Sequence, residues 1–346
     1  MNGQIIIGVV AALLALVAAV QGTIGAVGPP IQAEIATETV RKDVFPKTSA
    51  HFADGIVGQP DVEYANIVGF RPLQLDLYTH ERSGAQARPL VIWIHGGGWN
   101  RGDSRTSAAF ANFPAVLASL AARGYVVASI NYRLSGEARF PAAIQDVKAA
   151  IRYLRANAAQ FGIDPARVIL WGGSAGGHLA ALAATSCGVA AFEPSKSTGR
   201  SPTKATASAV DPPVFDCVQG AVIWYGVFDF ATISSSRISH VADFLGCHPR
   251  DCLEAAALAS PVSHITPSGP PMLLIHGTAD KTAPLKQSEE MAERLRKAGV
   301  PVETLFIPDV GHGWIGANPA ATRKASLLAL QRTFDYIDAI VAAKSK

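Results

Sequence analysis

Ser174 stands in Gly172-Gly173-Ser174-Ala175-Gly176-Gly177, directly after the apolar run Val168-Ile169-Leu170-Trp171 and before the helix-forming His178-Leu179-Ala180. This is the G-x-S-x-G pattern in the strand–turn–helix setting that a nucleophilic serine requires. Such a turn holds the serine in a strained backbone conformation, and only glycine-sized neighbours let strand and helix pass closely enough to expose the hydroxyl. A glycine-rich β-α turn with an incidental serine is the alternative, so the other parts of a nucleophilic site have to be sought elsewhere in the chain.

An acyl-transferring serine needs a base to take its proton, an acid to orient that base, and hydrogen-bond donors for the oxyanion. His95-Gly96-Gly97-Gly98-Trp99 follows the apolar Leu90–Ile94 run, where a glycine-rich oxyanion loop belongs, and the backbone N–H groups of Gly97, Gly98 and Ala175 are the expected donors. Downstream, Leu274-Ile275-His276-Gly277-Thr278-Ala279-Asp280 puts a carboxylate beyond a buried strand. Asp309-Val310-Gly311-His312 does the same for an imidazole. The expected nucleophile, acid and base are therefore Ser174, Asp280 and His312, each at the C-terminal end of a strand, where open α/β sheets place their ligands. His95 is expected to brace its own loop, and His178, His240, His248, His264 and His276 to be structural or surface residues. Neither an HxxxH nor a paired-carboxylate pattern occurs, so no metal and no cofactor are expected.

The elements that must carry these loops follow from periodicity. Val62–Ile67 and Leu73–Tyr78 alternate as an antiparallel hairpin at a sheet edge. Strands are then expected over Leu90–Ile94, Tyr125–Ile130, Val168–Trp171, Val218–Trp224, Met272–Ile275 and Val302–Ile307. Helices are expected over Ser107–Arg123, Ala142–Ala159, Leu285–Ala298 and Ala321–Ala342. This alternation predicts an α/β fold with a mostly parallel sheet and helices on both faces.

With 346 residues, 49% of them hydrophobic, the chain can bury a sizeable core, and one α/β domain over residues 55–346 fits best. A formal charge of +3 without basic clusters excludes nucleic acid as a partner. Residues 1–26 contain an Ile/Val/Ala/Leu run from Ile5 to Val20 followed by small residues, the pattern of a secretory signal, although Met1-Asn2-Gly3-Gln4 lacks Lys and Arg. An uncleaved membrane anchor and a buried helix are the alternatives; the first two place the catalytic body outside the cytoplasm, periplasmic or secreted. Residues 27–54 read as a linker or N-terminal arm. Four cysteines agree with export: Cys247 and Cys252 bracket a short loop, and Cys187 and Cys217 bracket the Ser/Thr/Pro/Gly-rich stretch 188–216, so these two pairings are expected.

Taken together, HGGGW, FGIDPARVILWGGSAGGHLA and the HGTADKTAPLKQSEEMAERLRKAGVPVE to DVGHGW stretch resemble the α/β-hydrolase superfamily. The closest likeness is to bacterial esterases related to hormone-sensitive lipase, in the group with feruloyl and acetyl-xylan esterases. The resemblance spans Val62 to Val341. It implies cofactor-free hydrolysis of a small-molecule carboxylic ester, with Ser174, Asp280 and His312 as the matching triad. Lipase-like members carry GDSAGG followed by Asn; Gly173 and His178 stand here instead, which favours the feruloyl-esterase side, and the 188–216 insertion is an addition that bears on the pocket entrance. A serine amidase or peptidase, or a non-catalytic binding protein, are the competing readings; the first usually brings a recognition domain or propeller, the second a lost triad member.

Overall fold

The computed structural model describes residues 48–81, 86–197, 215–233 and 238–343. In chain order, β1 (Ala50–His51), β2 (Ile56–Ala65), β3 (Leu73–His80) and β4 (Arg88–Ile94) lead to α1 (Phe113–Ala122), β5 (Val126–Ile130), α2 (Ala142–Ala156) and α3 (Ala158–Phe161). Then come β6 (Ile163–Gly173), α4 (Ala175–Thr185), β7 (Gly220–Trp224), α5 (Ile238–Leu245) and α6 (Leu253–Ala259). The chain closes with β8 (Met272–Gly277), α7 (Lys286–Lys297), β9 (Val302–Ile307) and α8 (Pro319–Ala343).

These strands form one sheet in the order β1-β2-β3-β5-β4-β6-β7-β8-β9. The pairs among β1, β2, β3 and β5 are antiparallel, and every pair from β5 through β4 to β9 is parallel. Buried at every position, β5 and β7 are the near-continuous apolar runs that a sheet covered on both faces demands. Two cores result: α1 and α8 cover one face, while α2, α4 and α7 cover the other.

Local chemistry explains where the elements depart from the periodicity. The helix expected from Ser107 begins only at Phe113, because Pro114 is tolerated in a first turn and not in an interior; Asn112 caps it, its side chain accepting from Ala115 N at 3.1 Å. The helix expected over Ala142–Ala159 breaks at Asn157, whose side-chain amide donates to Tyr153 O. Residues 48–54, read as the end of the arm, include β1, which pairs with β2. Helices α5 and α6 escaped the pattern because each is short, with few buried positions to mark its period.

Cys187 is bonded to Cys217 and Cys247 to Cys252. Such bonds persist in oxidising compartments outside the cytosol. No helix among the described residues is long and apolar enough to cross a membrane; the segment Ile5–Val20, the remainder of the arm and most of the 188–216 insertion lie outside those residues.

Candidate active site

Because β4, β6, β8 and β9 are parallel, the loops that leave their C-terminal ends converge on one edge of the sheet. Ser174 sits at the turn from β6 into α4 with φ +56° and ψ −120°, a strained conformation for a residue with a side chain. Its N–H donates to Trp224 O at 2.9 Å, and its carbonyl accepts from His178 N at 2.8 Å, so the turn is pinned from both sides. Glycine is obligatory two residues on: a Cβ on Gly176 would run into the carbonyl oxygens of Ile94 and His95 at the end of β4.

His312, five residues past β9, directs Nε2 at Ser174 Oγ across 2.8 Å, while its Nδ1 meets Asp280 Oδ2 at 2.7 Å. Asp280 lies three residues past the neighbouring strand β8. Its Oδ1 accepts from Thr282 N at 2.8 Å and Ala283 N at 2.9 Å. Burial pushes its carboxyl pKa up, but the hydrogen bonds and charges of His276 and His312 outweigh that and hold it well below the usual carboxylate range. Ser174, His312 and Asp280 thus form one unbroken hydrogen-bonded chain, with the imidazole oriented to take a proton from the serine.

Gly97 and Gly98 line the same cavity as Ser174 and His312. Gly97 has φ +114°, and a Cβ there would strike the carbonyl oxygen of Arg101, so the loop accepts no side chain at that position. Ala175 opens α4, which leaves its N–H among the first-turn donors without an intrahelical acceptor. His95 braces its loop: Nδ1 donates to Gly96 O at 2.7 Å, and the ring stacks on Tyr132, whose hydroxyl donates to His95 O. Burial lowers its pKa to about 4. His276 is buried beneath Asp280, and His178 within α4.

The cavity measures about 460 Å³, with Tyr225, Val227, Ile233 and Val241 as its apolar wall. His240 and Arg101 also line it. His240, expected as a structural or surface residue, comes from α5 to within 2.5 Å of where a Cβ on Gly98 would stand, a closeness that no local spacing announces because the two residues lie far apart in the chain. Among the described residues, the cluster of possible ligand atoms close enough for an ion is Cys187, Asp216 and Cys217, and its two sulfurs are bonded to each other.

The sheet order, the serine elbow and the strand-end loops define an α/β-hydrolase. The chain belongs to the BD-FAE family, which matches residues 75–295. It is 34% identical to Esterase LipC of Mycobacterium tuberculosis over 281 residues, 77% of this chain and 64% of LipC. Esterase LipQ of the same organism is 29% identical over 79% of this chain, which spans 60% of that relative. The chain therefore covers less than two thirds of either. Among solved structures, a truncated carbohydrate esterase from gut microbiota superposes with a TM-score of 0.68 at 27% identity, covering 84% of this chain and 98% of that one. The propionate-bound esterase Est2 of Thermogutta terrifontis gives 0.61 at 25% identity, over 81% and 93%. These likenesses set the chain within the α/β-hydrolase fold, beside proteins named as esterases.

Proposed function

We propose that this protein is a serine esterase that hydrolyses carboxylic esters of short-chain or aromatic acids. The observation that carries the reading is the continuous hydrogen-bonded chain from Ser174 through His312 to Asp280 beside the Gly97–Gly98 loop. His312 Nε2 takes the Ser174 proton as Oγ attacks the ester carbonyl, and Asp280 steadies the resulting imidazolium. The oxyanion is held by the N–H groups of Gly97, Gly98 and Ala175. Collapse of the tetrahedral intermediate expels the alcohol, protonated by His312, and leaves an acyl-enzyme. The same imidazole then activates water, which releases the acid and restores Ser174.

A cavity of about 460 Å³ is of the size that takes a small-molecule ester. The propionate bound by the similar Thermogutta esterase supports a short acyl group, and the similar gut carbohydrate esterase supports an acylated saccharide as a source of the alcohol. The disulfides Cys187–Cys217 and Cys247–Cys252 support export, with residues 1–26 as signal or anchor, 27–54 as arm and 55–346 as the catalytic domain. Membrane attachment, if the anchor is retained, runs only through that first segment.

Initial rates on p-nitrophenyl esters from acetyl to decanoyl, with methyl ferulate, test this reading. Acetyl to butyryl esters should be turned over fastest, and Ser174→Ala should reduce the rate by about 10⁴ or more. Faster hydrolysis of decanoyl than of butyryl esters would remove the substrate assignment; more than a few per cent of activity in Ser174→Ala would remove the nucleophile.

A further inference from the structure

The oxyanion loop has three consecutive glycines, Gly96 to Gly98, and so carries no side chain of its own to lock it until Trp99. Trp99 is buried and held at φ +59°, a region that a bulky residue occupies only where its surroundings over-determine it. Its indole stacks on Phe244 of α5 with ring centroids 4.9 Å apart, and its Nε1–H donates to His178 Nδ1 at 3.1 Å. An indole nitrogen can only donate, which makes Nδ1 the bare nitrogen of His178. The proton therefore sits on Nε2, which donates to Ala259 O at 2.7 Å in α6. The ring lies against Phe230, with centroids 4.9 Å apart and planes 19° from parallel. Burial holds its pKa down near 4, so at neutral pH it stays uncharged in this one tautomer.

His178 is also four residues beyond Ser174 on α4 and donates its own N–H to Ser174 O at 2.8 Å. His178 thus joins three parts, its imidazole linking the glycine loop to α6 and its backbone N–H holding the nucleophile turn, and the proton transfers of ester hydrolysis make no use of it. We infer that His178 is a positioning residue that fixes the Gly97–Gly98 donors relative to Ser174 by accepting from Trp99. The inference rests on the esterase reading. Loop N–H groups stabilise an oxyanion only at about 2.7–3.1 Å from its position, so a small drift of the loop weakens transition-state binding and leaves ground-state binding nearly intact.

Trp99→Phe keeps the aromatic bulk and removes the donor; His178→Leu removes the acceptor, and His178→Gln retains an acceptor and a donor. For p-nitrophenyl butyrate, Trp99→Phe and His178→Leu should each lower kcat about 10- to 100-fold with KM within about threefold. Binding of phenylboronic acid, which forms a tetrahedral adduct on the serine, should weaken by a similar factor. A purely structural residue would lower the melting temperature without this parallel. The double variant should be no slower than its slower parent, and His178→Gln should stay within about fivefold of the wild type. The inference is overturned if Trp99→Phe keeps the wild-type kcat, or if the two losses multiply. Should His178→Leu fail to fold, Trp99→Phe and His178→Gln decide the matter by the same measurements. A wild-type protein that turns over no ester overturns the esterase reading, and this inference with it; an active wild type with an indifferent Trp99 overturns the inference alone.

Discussion

Asp280 Oδ2 lies between two imidazoles, 2.7 Å from His312 Nδ1 and 3.4 Å from His276 Nε2. The two rings have different tasks. His312 faces the cavity and Ser174, whereas His276 is buried and engaged by Ser288 Oγ at 2.7 Å and Ala283 O at 2.8 Å. With two backbone N–H groups on its other oxygen, the carboxylate is gripped from every side. It can turn neither away from His312 nor toward solvent.

That grip separates Asp280 from the two carboxylates with which it is most easily confused. Asp309, three residues before His312, is exposed, and Asp229 follows β7 and accepts from Ala231 N at 2.8 Å. Asp280→Asn should lower kcat by about 10³- to 10⁴-fold near neutral pH by favouring the unproductive tautomer of His312. Asp309→Asn and Asp229→Asn should remain within about tenfold. Steady-state kinetics on one aryl ester checks all three, and a crippled Asp309→Asn beside a mild Asp280→Asn would reverse the assignment.

Acid should destabilise the fold in two stages. His95 and His178 have pKa values lowered by burial to about 4, so the unfolded chain takes up protons first as the pH falls below about 6.5. Their stabilisation is complete above that pH and is lost progressively toward pH 4, by about 3 kcal/mol for each histidine. Asp280, depressed below the usual carboxylate range, adds a further loss only below about pH 4. Urea midpoints between pH 4.5 and 7.5 should therefore fall with acid, and His178→Gln should flatten the curve. A flat wild-type profile would contradict the neutral, buried state of both rings.

The loops bearing Ser174, Asp280 and His312 were legible because each is a local pattern: a buried apolar run, then glycine or a turn, then one reactive side chain. Parallel strands bring such loops together whatever the details of packing. Nothing local marks His240 against Gly98, or Trp99 on His178, since each pairing depends on where α5, α6 and the loop after β4 come to rest. The late start of α1 was within reach: Asn112-Phe113-Pro114 is a cap and first turn, and the apolar periodicity running back to Ser107 masked it.

The closeness of His240 to Gly98 has a consequence for the glycine loop after β4. A Cβ on Gly98 meets the His240 ring, whereas one on Gly97 meets the carbonyl oxygen of Arg101. Gly98→Ala should thus lower kcat and recover in part when combined with His240→Ala, which clears the space. Gly97→Ala should lose both activity and stability, and Arg101→Ala should restore neither, because backbone and not side chain is in the way. Equal rescue in both cases would show that the loop moves freely.

The disulfide Cys187–Cys217 holds more than a loop. Asp216, next to Cys217, places Oδ2 2.7 Å from Nζ of the fully buried Lys148, and its Oδ1 accepts from Gly188 N at 3.3 Å. Lys148 Nζ also donates to Ser186 O, at the end of α4 next to Cys187. Burial pushes the lysine pKa down and the Asp216 carboxylate opposes it, so removing that carboxylate leaves a buried ammonium without its charge partner. Breaking a buried pair in this way costs about 3–5 kcal/mol, whereas replacing both members by neutral groups of similar size costs far less. Asp216→Asn should therefore be the most destabilised variant of the set, and Lys148→Met combined with Asp216→Asn should regain most of the loss. Cys187→Ser with Cys217→Ser should cost about 3 kcal/mol through the freed chain, and adding Asp216→Asn should cost less than in the disulfide-bonded protein, because the carboxylate is then already loosened. Through all of this kcat should stay near the wild-type value, since Ser186 is separated from Ser174 by the whole length of α4, about 16 Å of helix. Denaturant midpoints and ester turnover on the same preparations check both halves, and a loss of kcat in well-folded Asp216→Asn would show that the pair reaches the serine after all.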